Sequence, residues 1–192
     1  MFSQLSFGVV ALFTCLQGVA AMPATSDAVK DTIKSPHEFL DIIEVGGLNI
    51  TLYGNPNETP DIGAARPLTK RCGSNVVHCD DRWENLAEAA KCLDMINSLR
   101  DPKLPNDILP RGLKQMCGGR QANPSIKCCI AWEQNLTGTG TRYSDLVAAA
   151  FAVYTRCPQK AINGDHWLSG WTTDTLLGGQ CGNQCLSSSD IC

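Results

Sequence analysis

The placement of cysteine constrains this chain more than any other feature. Of its 11 cysteines, only Cys15 lies near the N-terminus. The rest are Cys72, Cys79, Cys92, Cys117, Cys128, Cys129, Cys157, Cys181, Cys185 and Cys192. A segment this dense in cysteine, even in number and with one at each end, reads as a disulfide scaffold built in an oxidising compartment. Five bridges would satisfy every thiol, and the pairing stays open, since ten cysteines allow about 945 arrangements. The spacing Cys181-x-x-x-Cys185 is one that zinc sites use. No partner pair stands at a matching spacing, however, and thiols in such a compartment are normally oxidised, so no metal or other cofactor is expected.

The cysteine-poor part divides in two. Residues 1–21 read as a cleaved signal peptide: the apolar run from Leu5 closes on the small residues Val19, Ala20 and Ala21. That run is shorter than a transmembrane anchor, which needs about 20 strongly apolar residues and usually a basic flank. No second stretch is apolar enough to span a bilayer, so the expected product is secreted and extracellular, without a membrane anchor. Residues 22–71 read as a propeptide. They lack cysteine, are punctuated by Pro23, Pro36, Pro56, Pro60 and Pro67, and carry more acidic than basic residues. The segment ends on Lys70-Arg71, directly before Cys72. A proline-rich approach keeps such a dibasic pair extended and open to a kexin-type protease. Cleavage there leaves residues 72–192 as the mature disulfide-rich domain. Within the propeptide, Glu38 to Tyr53 has the composition of a short helix or strand. Asn49, Asn57 and Asn135 each begin a glycosylation sequon.

For residues 72–192 the expected fold class is α+β: a small disulfide-rich domain with two main helices packed on a small, mostly antiparallel sheet. The first helix should begin at Asp80-Asp81, where aspartates cap free N–H groups, and run to about Leu99 before Asp101-Pro102. Trp83, Leu86, Ala87, Ala90, Leu93 and Ile96 form its apolar stripe, with Cys92 beside it. The second should begin at Ser144 and run to about Arg156, stopped by Pro158. Between them, Ile126–Trp132 reads as a strand, in which neighbouring residues face opposite sides. Cys128 and Cys129 should therefore bond to two different elements. Val76-Val77 and the stretch from Leu176 to Leu186 are weaker strands. Residues 101–125, with three prolines and Gly118-Gly119, read as a long loop anchored by Cys117.

Chemistry is sparse. The mature part carries 11 Lys+Arg against 12 Asp+Glu, so neither nucleic acid nor an anionic membrane is a favoured partner. Asp165-His166-Trp167 is the nearest approach to a catalytic cluster. With His78 as a second imidazole, His166 and Asp165 would suit general acid–base work of the ribonuclease kind, provided the two histidines converge. Otherwise they are surface histidines. No nucleophile elbow, zinc-protease helix or phosphate loop is present. Trp167 and Trp171 flank Ser169-Gly170 and form the candidate binding pair, because aromatic faces stack on sugars; the competing reading is core packing.

In order and spacing the chain resembles a family of fungal secreted cysteine-rich proteins with a WD-like domain. The resemblance is carried by Cys72-Gly73-Ser74-Asn75 with Cys79, by the helix holding Cys92, and by Cys128-Cys129-Ile130-Ala131-Trp132. It continues in the helix start Ser144-Asp145-Leu146-Val147-Ala148-Ala149-Ala150 and the ending Gly182-Asn183-Gln184-Cys185-Leu186-Ser187 before Cys192. It implies an extracellular fungal origin and supplies no catalytic residues. The dibasic precursor layout looks like that of fungal killer toxins and plant-directed effectors. The expected function is that of an effector or toxin-like factor that binds an extracellular or host target, protein or glycan, without catalysis. The alternatives are a secreted hydrolase or ribonuclease using His78 and His166, and a cell-wall glycan binder using Trp167 and Trp171.

Overall fold

The computed structural model describes residues 37–59, 72–102, 104, 108–119, 127–136 and 139–189. The expected signal peptide with Ala21, the Lys70-Arg71 pair and Cys192 lie outside the described residues.

Within the segment before the dibasic pair, residues 38–54 form a hairpin. Strand β1 (Glu38–Val45) turns at Gly46-Gly47 into β2 (Leu48–Gly54). Both turn glycines have positive φ, +60° and +78°, which a two-residue hairpin turn requires. Along β2, Leu48, Ile50 and Leu52 are buried while Asn49, Thr51 and Tyr53 are half-buried, the alternation of a strand with one face on a core. On its free side β2 pairs antiparallel with β5 (Leu113–Gly119), from Asn49 opposite Gly119 to Gly54 opposite Leu113. Val45, Leu48, Ile50 and Leu52 join the main core. Each buried aliphatic side chain contributes about 1.5–3 kcal/mol, so the four give roughly 6–12 kcal/mol of gross burial, the order of a whole domain's net stability.

The remaining strands are β3 (Val76–Cys79), β4 (Ala87–Glu88), β6 (Lys127–Trp132), β7 (Lys160–Ile162), β8 (Asp165–Leu168), β9 (Gly170–Leu177) and β10 (Gln180–Ser187). The larger sheet has seven strands in the order β1-β2-β5-β6-β10-β9-β3, and β4-β8-β7 make a second, three-stranded sheet. Every pairing among these strands is antiparallel. Helices α1 (Ala89–Ser98) and α2 (Val147–Arg156) are ten residues each. They touch each other and pack on the larger sheet, α1 over β2, β5 and β6, α2 over β3, β9 and β10.

This overturns the expected α+β domain of two main helices on a small sheet. Among the described residues the structure is mostly antiparallel sheet, ten strands in two sheets, and the helices are short. Three physical reasons account for the difference. The first helix does not begin at Asp80: Leu86 is extended, and Ala87-Glu88 pair with Leu168 and Trp167 of β8 before the helix starts. Its buried face is consequently Ala89, Cys92, Met95 and Ile96, continued by Leu99, rather than a stripe through Trp83 and Ala90. Second, the expected loop before Ile126 contains β5, whose Lys114, Gln115 and two glycines hide its alternation. Gly118 is closely surrounded there: a Cβ would stand 3.0 Å from a Leu48 methyl and 3.5 Å from Met95. Third, two strands come from the N-terminal segment.

The disulfides follow the strand geometry. Cys128 and Cys129 face opposite sides of β6 and bond to different elements, Cys128 to Cys92 of α1 and Cys129 to Cys117 of β5. Cys79 of β3 bonds to Cys157 at the end of α2, and Cys72 to Cys181 of β10. Cys185 is also disulfide-bonded. Both cysteines of the zinc-like spacing are thus oxidised. Among the described residues no helix is long and apolar enough to cross a membrane.

Candidate functional site

Strand alternation gives the larger sheet two unlike faces. Ile130, Trp132, Gln184, Leu186 and Thr172 point to the helices; Ala131, Cys185, Ser187, Trp171 and His78 lie on the other side, in matching register across β6, β10, β9 and β3. On that face, away from α1 and α2, a cleft of about 270 Å³ opens over β9 and β10, walled by Asp80, Arg82, Asn85, Glu133, Trp171 and Asn183.

The wall formed by Asp80 to Asn85 is a bend followed by a single 3-10 turn, Trp83–Asn85, rather than the first turn of α1. The Asp80 carboxylate accepts hydrogen bonds from Arg82 Nε and a terminal guanidinium nitrogen, from the Arg82 backbone N–H and from the Asn85 amide. The Asp80 N–H donates to the Ser169 carbonyl at 3.0 Å, and Ser188 donates to the carbonyls of Asn85 and Glu84. The turn is therefore held at both ends to the strands beneath it. Hydrogen bonding from Arg82 drives the Asp80 carboxyl down to about 2, opposed by burial and assisted by Asn85. At neutral pH this group is a fixed anion already matched to Arg82, and a poor proton donor.

The turn presents Trp83 to solvent at 70% exposure. Arg82 beside it is also exposed, its side chain at 64%. Across the cleft the Trp171 ring stacks on His78, centroids 5.3 Å apart and planes 16° apart, and His78 Nε2 lies 3.2 Å from the Thr173 hydroxyl. Asn183 donates to Glu133 at 2.9 Å. The cleft thus offers an aromatic face, paired carboxylate and guanidinium groups and side-chain amides, a chemistry suited to stacking and hydrogen bonding.

The structure separates the residues that sequence grouped together. His78 lies on β3 at the edge of the larger sheet. His166 lies exposed on β8 of the smaller sheet, opposite Ala161, with Asp165 beside it opposite Ile162. Trp171 lines the cleft, whereas Trp167 sits half-buried in β8 against Glu88 and Lys160. Of the glycosylation asparagines, Asn49 is half-buried within β2 and Asn57 is exposed in the turn after it. Asn135 donates its amide to the Thr59 carbonyl at 3.1 Å, a bond that a glycan on that nitrogen would compete with. Trp83 carries no separate signal in sequence, because it fits a helical stripe; the adjacent Asp80-Asp81-Arg82 run is the cue to a turn.

No protein family, curated protein or solved structure matches this chain.

Proposed function

We propose that the protein is a secreted, disulfide-stabilised binding factor, effector-like or toxin-like, that engages an extracellular protein or glycan of a host or competitor through the Arg82-Trp83 turn and the Trp171 cleft. The observation that carries this reading is Trp83: a large aromatic side chain exposed on a turn that Asp80, Ser169 and Ser188 hold fixed. A rigid aromatic anchor loses little entropy on binding, and Trp and Arg are the residues most enriched at binding hot spots. Disulfide bridges that tie both helices to strands β3 and β6 suit an extracellular setting. The resemblance to fungal secreted proteins points to the same setting. Acid–base catalysis by His78 and His166 finds no support in their placement on separate sheets.

The test is retention of the purified secreted protein on plant and fungal wall material and on intact competitor cells. Trp83→Ala and Trp171→Ala should each weaken retention by about 30-fold or more, the effect of losing a hot spot worth about 2 kcal/mol, while leaving the melting temperature near that of the parent. Unchanged retention in both variants would sink the reading, as would substrate turnover that His166→Ala abolishes.

A further inference from the structure

We infer that cutting after Arg71 produces a two-chain protein, in which residues 38–59 stay in the sheet as a non-covalent strand pair on the edge of β5. The inference rests on reading Lys70-Arg71 as the processing site, and it changes what that processing releases. A propeptide that leaves must come away from the mature domain, and this one is built into it. β2 is an interior strand, paired on one side with β1 and on the other with β5. Its Ile50 and Leu52 are 0% and 1% exposed, and Leu48 reaches Gly118 beneath α1. Removing the hairpin would strip Leu113–Gly119 of its backbone partners on the β2 side and leave it paired with β6 only. It would also open the core beside Met95 and Met116, leaving a long sheet edge of the kind that recruits other chains.

The contact continues past the hairpin. Asn55 N–H donates to the Gly112 carbonyl at 2.9 Å, and Lys114 forms a 3.0 Å ion pair with Glu58. Arg111 donates to the Glu58 carbonyl and Asn135 to the Thr59 carbonyl. Gly54 and Gly112 meet backbone to backbone, since a Cβ on Gly54 would fall 2.0 Å from the Gly112 oxygen. Nothing covalent reinforces this docking: no cysteine occurs between Cys15 and Cys72. Once the chain is cut, the hairpin is held non-covalently, by strand addition, burial and these polar contacts, the mode by which sheets accept a donated strand.

The experiment treats the full secreted chain with a kexin-type protease and tracks three readouts. These are the fragments on a denaturing gel, the mass under native conditions, and hydrogen exchange across Leu113–Gly119. The expected result is two fragments when denatured, a single 1:1 complex when native, and β5 amides as protected as before cutting. Separation of the small fragment on native gel filtration, with 72–192 remaining a folded monomer, overturns the inference; so does loss of β5 protection on cutting. If the protease leaves Arg71 intact, the processing reading fails by itself. A chain carrying a site-specific endoprotease sequence in place of residues 64–69 then gives the same readouts and decides the hairpin's fate independently.

Discussion

Asp80 shows how a single side chain can set a loop and reveal itself through pH. Its carboxyl is held at about 2 against an ordinary value of 3.8, chiefly by the Arg82 hydrogen bonds. A depressed pKa means that the folded state prefers the ionised form. The stabilisation is therefore complete above the ordinary value and is lost as pH falls from about 4 towards about 2. Asp80→Asn removes it at all pH values. Urea unfolding midpoints of the full chain and the variant should differ most at about pH 5 and converge towards about pH 2; a gap that does not narrow would show that Asp80 is not the titrating group. The same residue explains why Trp83 is illegible in the sequence. Acidic residues before an apolar run signal a helix start, and here they serve a turn instead, because Arg82 and Asn85 satisfy the carboxylate that would have capped the helix. Cys128 and Cys129 are legible for the opposite reason. Strand alternation leaves two adjacent cysteines no choice but opposite faces, whatever their partners.

At the scale of elements, local chemistry decides what can be read from sequence. β6 stands out through its apolar run. α2 ends at Arg156 before Pro158, as its composition predicts, although its first turn is a 3-10 turn, Tyr143–Leu146, with Asp145 accepting from the Arg142 N–H. Elements set by distant partners cannot be read in the same way. Leu113–Gly119 has weak strand composition and becomes a strand because β2 and β6 flank it. Ala87-Glu88 fit a helix and become a strand because β8 takes them. Disulfides act on the same long-range scale. Cys79–Cys157 closes a separation of 78 residues and Cys117–Cys129 one of only 12. On chain-entropy grounds the first contributes about 4.5 kcal/mol and the second about 3 kcal/mol. Replacing both cysteines by alanine should therefore lower the melting temperature of the full chain more for the Cys79–Cys157 pair than for the Cys117–Cys129 pair. The reverse order would mean that packing around β5 and β6 outweighs loop closure.

At the scale of the whole molecule, the main consequence is that the fold crosses the dibasic boundary. Composition marks residues 22–71 as unlike residues 72–192, since they lack cysteine, but cysteine content reports the covalent framework and says nothing about where a strand will pair. The pattern Leu48, Ile50, Leu52 holds the information, in an alternation whose short length leaves it ambiguous between strand and helix. Because β2 stands between β1 and β5 in the seven-stranded sheet, residues 72–192 alone lack a strand that their own core requires. Their β5 edge would pair with whatever chain it met, and aggregation is the expected fate of such an edge. Oxidative refolding of residues 72–192 should therefore give little monomer, and a synthetic peptide of residues 37–59 added in trans should raise the monomer yield several-fold. The gain should vanish for a peptide carrying Ile50→Asp and Leu52→Asp, whose charges cannot enter the core. An equal yield of monomer with no peptide would show that the sheet closes without its N-terminal strands. Restoration by the doubly charged peptide would show that the peptide acts as a solubilising additive rather than as the missing strand.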